Sequence, residues 1–158
     1  MTAVDTSPRE RLRVLRESSS IAMVGVSANP LRSSNFVATY LTRTPYRVYP
    51  VNPMYDEVLG ERCYPSLADL PEVPDIVDVF RAREELPGVV REAIDVGAQV
   101  VWFQLGLRHD EAARMAQEAG LVVVQDRCLK IEHARFAGGL HLAGFDTGVI
   151  SSKRRRPV

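Results

Sequence analysis

The chain has 158 residues, 46% of them hydrophobic, and its 20 Lys and Arg balance 20 Asp and Glu. That length suits one domain with a buried core rather than two, and the even charge excludes a global field that would draw nucleic acid or anionic lipid. With two cysteines, no leader pattern and no apolar run near the ~20 residues of a membrane span, a reducing, cytoplasmic setting without membrane contact is expected.

Ser7-Pro8-Arg9-Glu10 sets a capping hydroxyl, a first-turn proline and a capping-box glutamate in order ahead of Leu12 and Leu15. This predicts an N-terminal helix within residues 1–19. The apolar run Ile21-Ala22-Met23-Val24 then ends at Gly25, turns through a polar loop, and reaches Ser33-Ser34. Those hydroxyls are placed to cap a helix carrying Phe36, Val37, Tyr40 and Leu41. Arg47 to Val51 reads as a second strand, ended by Asn52-Pro53.

Residues 54–74 are loop-rich, with a helical turn near Leu67 to Leu70. Asp75 to Phe80 gives a third strand, and Leu86, Val90, Ala93 and Ile94 mark a helix that stops by Gly97. Gln99 to Gln104 leads through Gly106 to a helix opened by His109, which Gly120 ends before Leu121 to Gln125. Beyond these, Lys153-Arg154-Arg155-Arg156 reads as a solvated tail, because nothing aromatic interleaves it.

Continuous rather than alternating apolar runs imply parallel strands covered on both faces. The fold class is therefore α/β: a single Rossmann-like, doubly wound domain at 20–137 with about five parallel strands, followed by an extension at 138–158. The expected strand order is 3-2-1-4-5, which puts a ligand over the carboxyl ends of strands one and four.

Several classes of chemistry lack their residues. The three histidines and two cysteines show no metal-ligand spacing, and neither a Gly-x-Ser-x-Gly elbow nor a Walker lysine is present. Cys128 follows Arg127 beyond the fifth strand, a setting that suits a reactive thiol, with simple packing of the turn as the alternative.

The first strand-to-helix turn is the kind that cradles phosphate. Of the three fingerprint glycines of a dinucleotide site, however, only Gly25 is present; Ser27 and Pro30 hold the other positions. A turn that binds nothing remains open at this point. The second strand ends in Tyr49-Pro50-Val51-Asn52-Pro53, without the carboxylate that holds the ribose of NAD, so NAD is disfavoured. An adenine nucleotide with extra phosphate calls instead for amides, hydroxyls and arginines, and Arg32, Arg81 and Arg83 are placed to supply the last.

The segments Val24-Gly25-Val26-Ser27, Val48 to Pro53, Asp75 to Arg81, Trp102 to Gly106 and Val123 to His133, in this order, resemble the small CoA-binding-domain proteins. These look like the free-standing N-terminal domain of the succinyl-CoA synthetase α subunit. The resemblance runs from Ile21 to Phe136 and implies a CoA or acyl-CoA ligand at the strand tips. It implies that Gly25, Ser27, Ser33 and Ser34 meet the diphosphate and that Val51, Asn52 and Pro53 lie along the nucleotide. Phe80 and Arg81 would border the adenosine or pantetheine, with Gln104 and Gly106 further along.

The synthetase carries a second domain with a phosphorylated histidine that has no counterpart in this chain, so ligase activity by the chain alone is not expected. The expectation is a non-catalytic or regulatory binding module, with a protein partner or a homo-oligomer open. Its alternatives are a subunit of an acyl-CoA-using enzyme, a thiol redox module built on Cys128, and a nucleotide-binding fold without ligand.

Overall fold

The computed structural model describes residues 5–142, with side chains through Phe136; the basic run at 153–156 lies outside the described residues. Ser7 Oγ accepts the Glu10 amide at 3.1 Å and Pro8 sits in the first turn, so α1 (Pro8–Glu17) begins where the sequence places it. Its buried face carries Arg11, Val14 and Leu15.

Five parallel strands form the sheet: β1 (Ser20–Val24), β2 (Arg47–Val51), β5 (Ile76–Val79), β6 (Val100–Phe103) and β7 (Val122–Val124). A two-stranded hairpin of β3 (Glu57–Val58) and β4 (Glu61–Arg62) interrupts the connection after β2. The helices α2 (Ser33–Leu41), α3 (Leu86–Val96), α4 (Asp110–Glu118) and α5 (Leu129–Leu142) alternate with the strands. As the sequence indicates, α3 ends at Gly97, and His109 caps α4, its Nδ1 accepting the Ala112 amide at 3.1 Å.

Side chains alternate across each strand, which divides the interior into two layers. Ala22, Val24, Val77, Val79, Val101 and Phe103 face α3 and α4. Ile21, Met23, Ile76, Val100 and Trp102 face α1, α2 and α5. β1, β5 and β6 are buried along their whole length, which is why they read as unbroken apolar runs.

The doubly wound class is borne out, but the order within it is corrected. The sheet runs β2-β1-β5-β6-β7, so in terms of the five parallel strands it is 2-1-3-4-5, not 3-2-1-4-5. The third strand is kept from the outer edge of β2 by the chain itself. Tyr64 occupies that edge, its amide donating to Pro50 O and its carbonyl accepting from the Asn52 amide, both at 2.9 Å. The chain after it crosses to the far side of β1, and the switch point falls between β1 and β5.

One polar link ties the ends of the domain together. Arg11 Nε donates to Glu132 Oε1 at 2.7 Å, with both side chains almost wholly buried, joining α1 to α5. Arg135 and Arg127 approach the other Glu132 oxygen from the surface at 3.3 and 4.0 Å. A buried pair of this kind adds little net stability while intact, yet losing one partner is costly.

Candidate functional site

The carboxyl tips of β2, β1, β5 and β6 lie side by side, and at ~4.8 Å between neighbours they span roughly 14 Å. Gly25 sits at the centre of this row. Its amide donates to Val51 O at 2.8 Å, while the Phe80 amide donates to Val24 O at the same distance, which ties three strand tips together. Gly25 has φ +88°, and a Cβ there would lie 2.4 Å from Phe80 O and 2.7 Å from Arg81 Cδ. Only glycine permits this crossing.

The loop after Gly25 is held from both sides. Asn52 Nδ2 donates to Val26 O at 3.0 Å, and Asn35 Nδ2 donates to Ser27 O at 2.9 Å. Ser27 donates its amide to Ser34 Oγ at 2.9 Å, and its own hydroxyl accepts the Asn29 amide at 3.0 Å. This changes the role expected of the serines. The N-cap of α2 is Arg32, no side chain caps the helix, and Ser34 clamps the loop instead of the helix end. An uncapped first turn leaves amide donors and the positive end of the helix dipole facing outward, beside the exposed Ser33 and Arg32.

The remaining sequence-derived residues fall on the same row of tips. Val51 and Asn52 are buried and Pro53 is exposed. With Nδ2 on Val26 and Oδ1 accepting the Met54 amide at 2.9 Å, Asn52 spends its side chain on the loops themselves. Phe80 and Arg81 are half-buried at the end of β5, and Arg81 is tied to Glu85 at 2.6 Å while its Nε is buried without a partner. Arg83 is turned aside, donating to Arg108 O at 2.8 Å.

At the β6 tip, Gln104 is buried and Gly106 exposed. The Gly106 amide donates to Asp126 Oδ1 at 2.7 Å, so Asp126, at φ +57°, joins the β6 and β7 tips and makes no pair with Arg127. Cys128 immediately precedes α5, half-buried against the core layer under that helix.

Two residues of this region escaped the sequence reading. Asn35 is one. The other is Asp78, wholly enclosed in the middle of β5, with Oδ1 2.5 Å from the Gln104 amide and Oδ2 unpartnered. Burial drives its carboxyl well above the usual range, opposed only by the Gln104 contact. The signal was present in the sequence as an acid inside an otherwise apolar strand.

Two cavities among the described residues, of about 290 and 210 Å³, lie beside the start of β2 and beyond β7. Among the described residues no cluster of His, Cys, Asp or Glu could hold a metal, and no helix is long and apolar enough to cross a membrane.

The sequence pattern of the CoA binding domain family matches residues 19–134. The Bacillus subtilis protein YneT, itself uncharacterized, is 41% identical over 128 residues, covering 81% of this chain and 95% of YneT. A solved structure of a hypothetical protein from Pyrococcus horikoshii is 43% identical, with a TM-score of 0.79 over 82% of this chain and 92% of that one. Acetate–CoA ligase [ADP-forming] I of Archaeoglobus fulgidus is 26% identical over 127 residues, 74% of this chain but 18% of the ligase.

Proposed function

Since the chain belongs to the CoA-binding domain family, we propose that it is a stand-alone binding module for CoA or an acyl-CoA, working in the cytoplasm. The observation that carries this reading is the Gly25 crossing, a half-buried turn whose loop is bonded through the Ser27 amide to Ser34 at the uncapped start of α2. Such a place receives a diphosphate, through amides and the helix dipole. Gly25, Ser27, Ser33 and Ser34 surround the diphosphate, and Arg32 adds a free guanidinium. The nucleotide lies along Val51 to Pro53, Phe80 and Arg81 border the adenosine or pantetheine, and Gln104 and Gly106 take the far end. A row of four tips suits an elongated ligand better than a mononucleotide.

Calorimetry with CoA and NAD tests the reading. CoA should bind and NAD should bind more weakly, because no carboxylate stands at the β2 tip for the NAD ribose. Preference for NAD, or no heat with either at millimolar concentration, overturns it.

Arg32→Glu gives a second test. The Arg32 side chain is exposed and bonded to no described residue, and an acid at the N-cap suits the helix dipole, so the melting temperature should not fall. CoA affinity should fall about tenfold or more, the scale of a charge-assisted contact, and the loss should shrink as salt is raised. Unchanged affinity removes the start of α2 from the phosphate site.

A further inference from the structure

Asp78 and Gln104 form a polar pair inside an apolar layer. Asp78 lies on β5 in register with Met23 of β1 and Trp102 of β6, and it projects to the same side as Ile76. The other buried ionisable groups of that layer bond elsewhere: Arg11 with Glu132, His133 Nδ1 with the Tyr40 hydroxyl at 2.7 Å while its Nε2 has no partner, Tyr46 with Leu15 O at 2.5 Å and Cys63 with Asn52 O at 3.5 Å. No cation among the described residues is bonded to Asp78. An ionised carboxylate there would stand unpaired in a low dielectric, which costs far more than protonating it.

The contact brings one end of the Gln104 amide against Asp78 Oδ1, within bonding reach of either a donor or an acceptor. The two ends of a glutamine amide are alike in shape, and the hydrogen-bond partners decide between them. The other end of the Gln104 amide has no bonded partner among the described residues and is absent from the fully enclosed unpartnered atoms, and Gln104 directly follows the last residue of β6.

We infer that Asp78 is a positioning residue: as a neutral acid it donates its proton to Gln104 Oε1 and so turns the Gln104 NH2 group outward, as a donor for an oxygen of the ligand. The hydroxyl is then satisfied, and the single unpaired atom is the carboxyl's carbonyl oxygen, the cheaper kind to leave unbonded. The inference rests on the CoA reading only for what the outward NH2 group meets.

Carbon-13 NMR of the Asp78 carboxyl in unliganded protein tests the first half. The signal should sit at the protonated position at neutral pH; an ionised carboxylate at neutral pH overturns the inference. Affinity for CoA tests the second half. Gln104→Glu, which presents an acceptor where the donor stood, should bind about tenfold more weakly. Asp78→Leu, which cannot hold the amide, should also lose affinity, and Asp78→Asn, which still offers a donor, should recover what Asp78→Leu loses. Unimpaired binding by Gln104→Glu means that the amide oxygen faces the ligand and overturns the assignment. Absence of CoA binding by the unaltered protein would sink the ligand reading, while the carboxyl signal would still decide the state of Asp78.

Discussion

Asp78→Asn is expected to be more stable than the unaltered protein at neutral pH, with the difference closing as the pH falls toward 4. The folded carboxyl is raised well above its ordinary value by burial, so the folded state holds a proton that the unfolded chain releases. A group raised in this way contributes its full stability below the unfolded value, about 3.9 for Asp, and loses it as pH rises toward the folded value. Each pH unit in that window costs the unaltered protein about 1.4 kcal/mol, and asparagine escapes the cost. The variant's advantage should therefore grow steadily as the pH rises from about 4 to 7.

His133 works in the opposite sense. Burial lowers it to about 4, so its protonation destabilises the fold as the pH drops from about 6.5. Both proteins contain it, and its effect cancels in the difference. Urea titrations of the two proteins across pH 4–8 measure the quantity directly. A variant that is less stable at every pH, or a gap that does not depend on pH, contradicts a neutral Asp78.

Gly25→Ala should be damaging in two separable ways. The left-handed φ of +88° costs a residue with a Cβ about 1–2 kcal/mol. The new methyl also meets Phe80 O at 2.4 Å, and a backbone oxygen can retreat only if β5 parts from β1. The total should reach at least ~3 kcal/mol. Gly106 isolates the first effect, since its φ is also +88° but nothing lies within 4 Å of an added Cβ. Gly106→Ala should therefore cost only the backbone share. Chemical denaturation of the two variants gives the comparison, and equal losses would mean that the β1–β5 crossing is looser than described. Any Gly25→Ala protein that remains folded should bind CoA poorly.

Much of this architecture was legible because burial on both faces leaves a plain mark in a sequence. The apolar runs at Ile21 to Val24, Ile76 to Val79 and Val100 to Phe103 could be little else, and Ser7, Gly97 and His109 bound their helices as their chemistry dictates. Strand order was not legible in the same way. It turns on Tyr64 bonding the outer edge of β2 through backbone atoms, which no side-chain pattern encodes. The serines misled for a related reason: a hydroxyl before a helix is as able to hold a loop amide as a helix amide, and Ser34 does the former. The tips of the strands were located from sequence. The bonds that stiffen them, Asn35 on Ser27 and Asp126 on Gly106, depend on distances that spacing along the chain does not carry.

The Arg11–Glu132 link has a practical consequence for anyone preparing this protein. The recognisable family pattern begins at residue 19, and an expression fragment trimmed to that point would discard the whole of α1. Glu132 would lose its one buried counter-charge and keep only the two surface arginines, while the apolar layer beside α5 would lose Val14 and Leu15. The stretch that marks kinship and the stretch that closes this apolar layer thus start at different residues, and a vector designed from the first would deliver an incomplete version of the second.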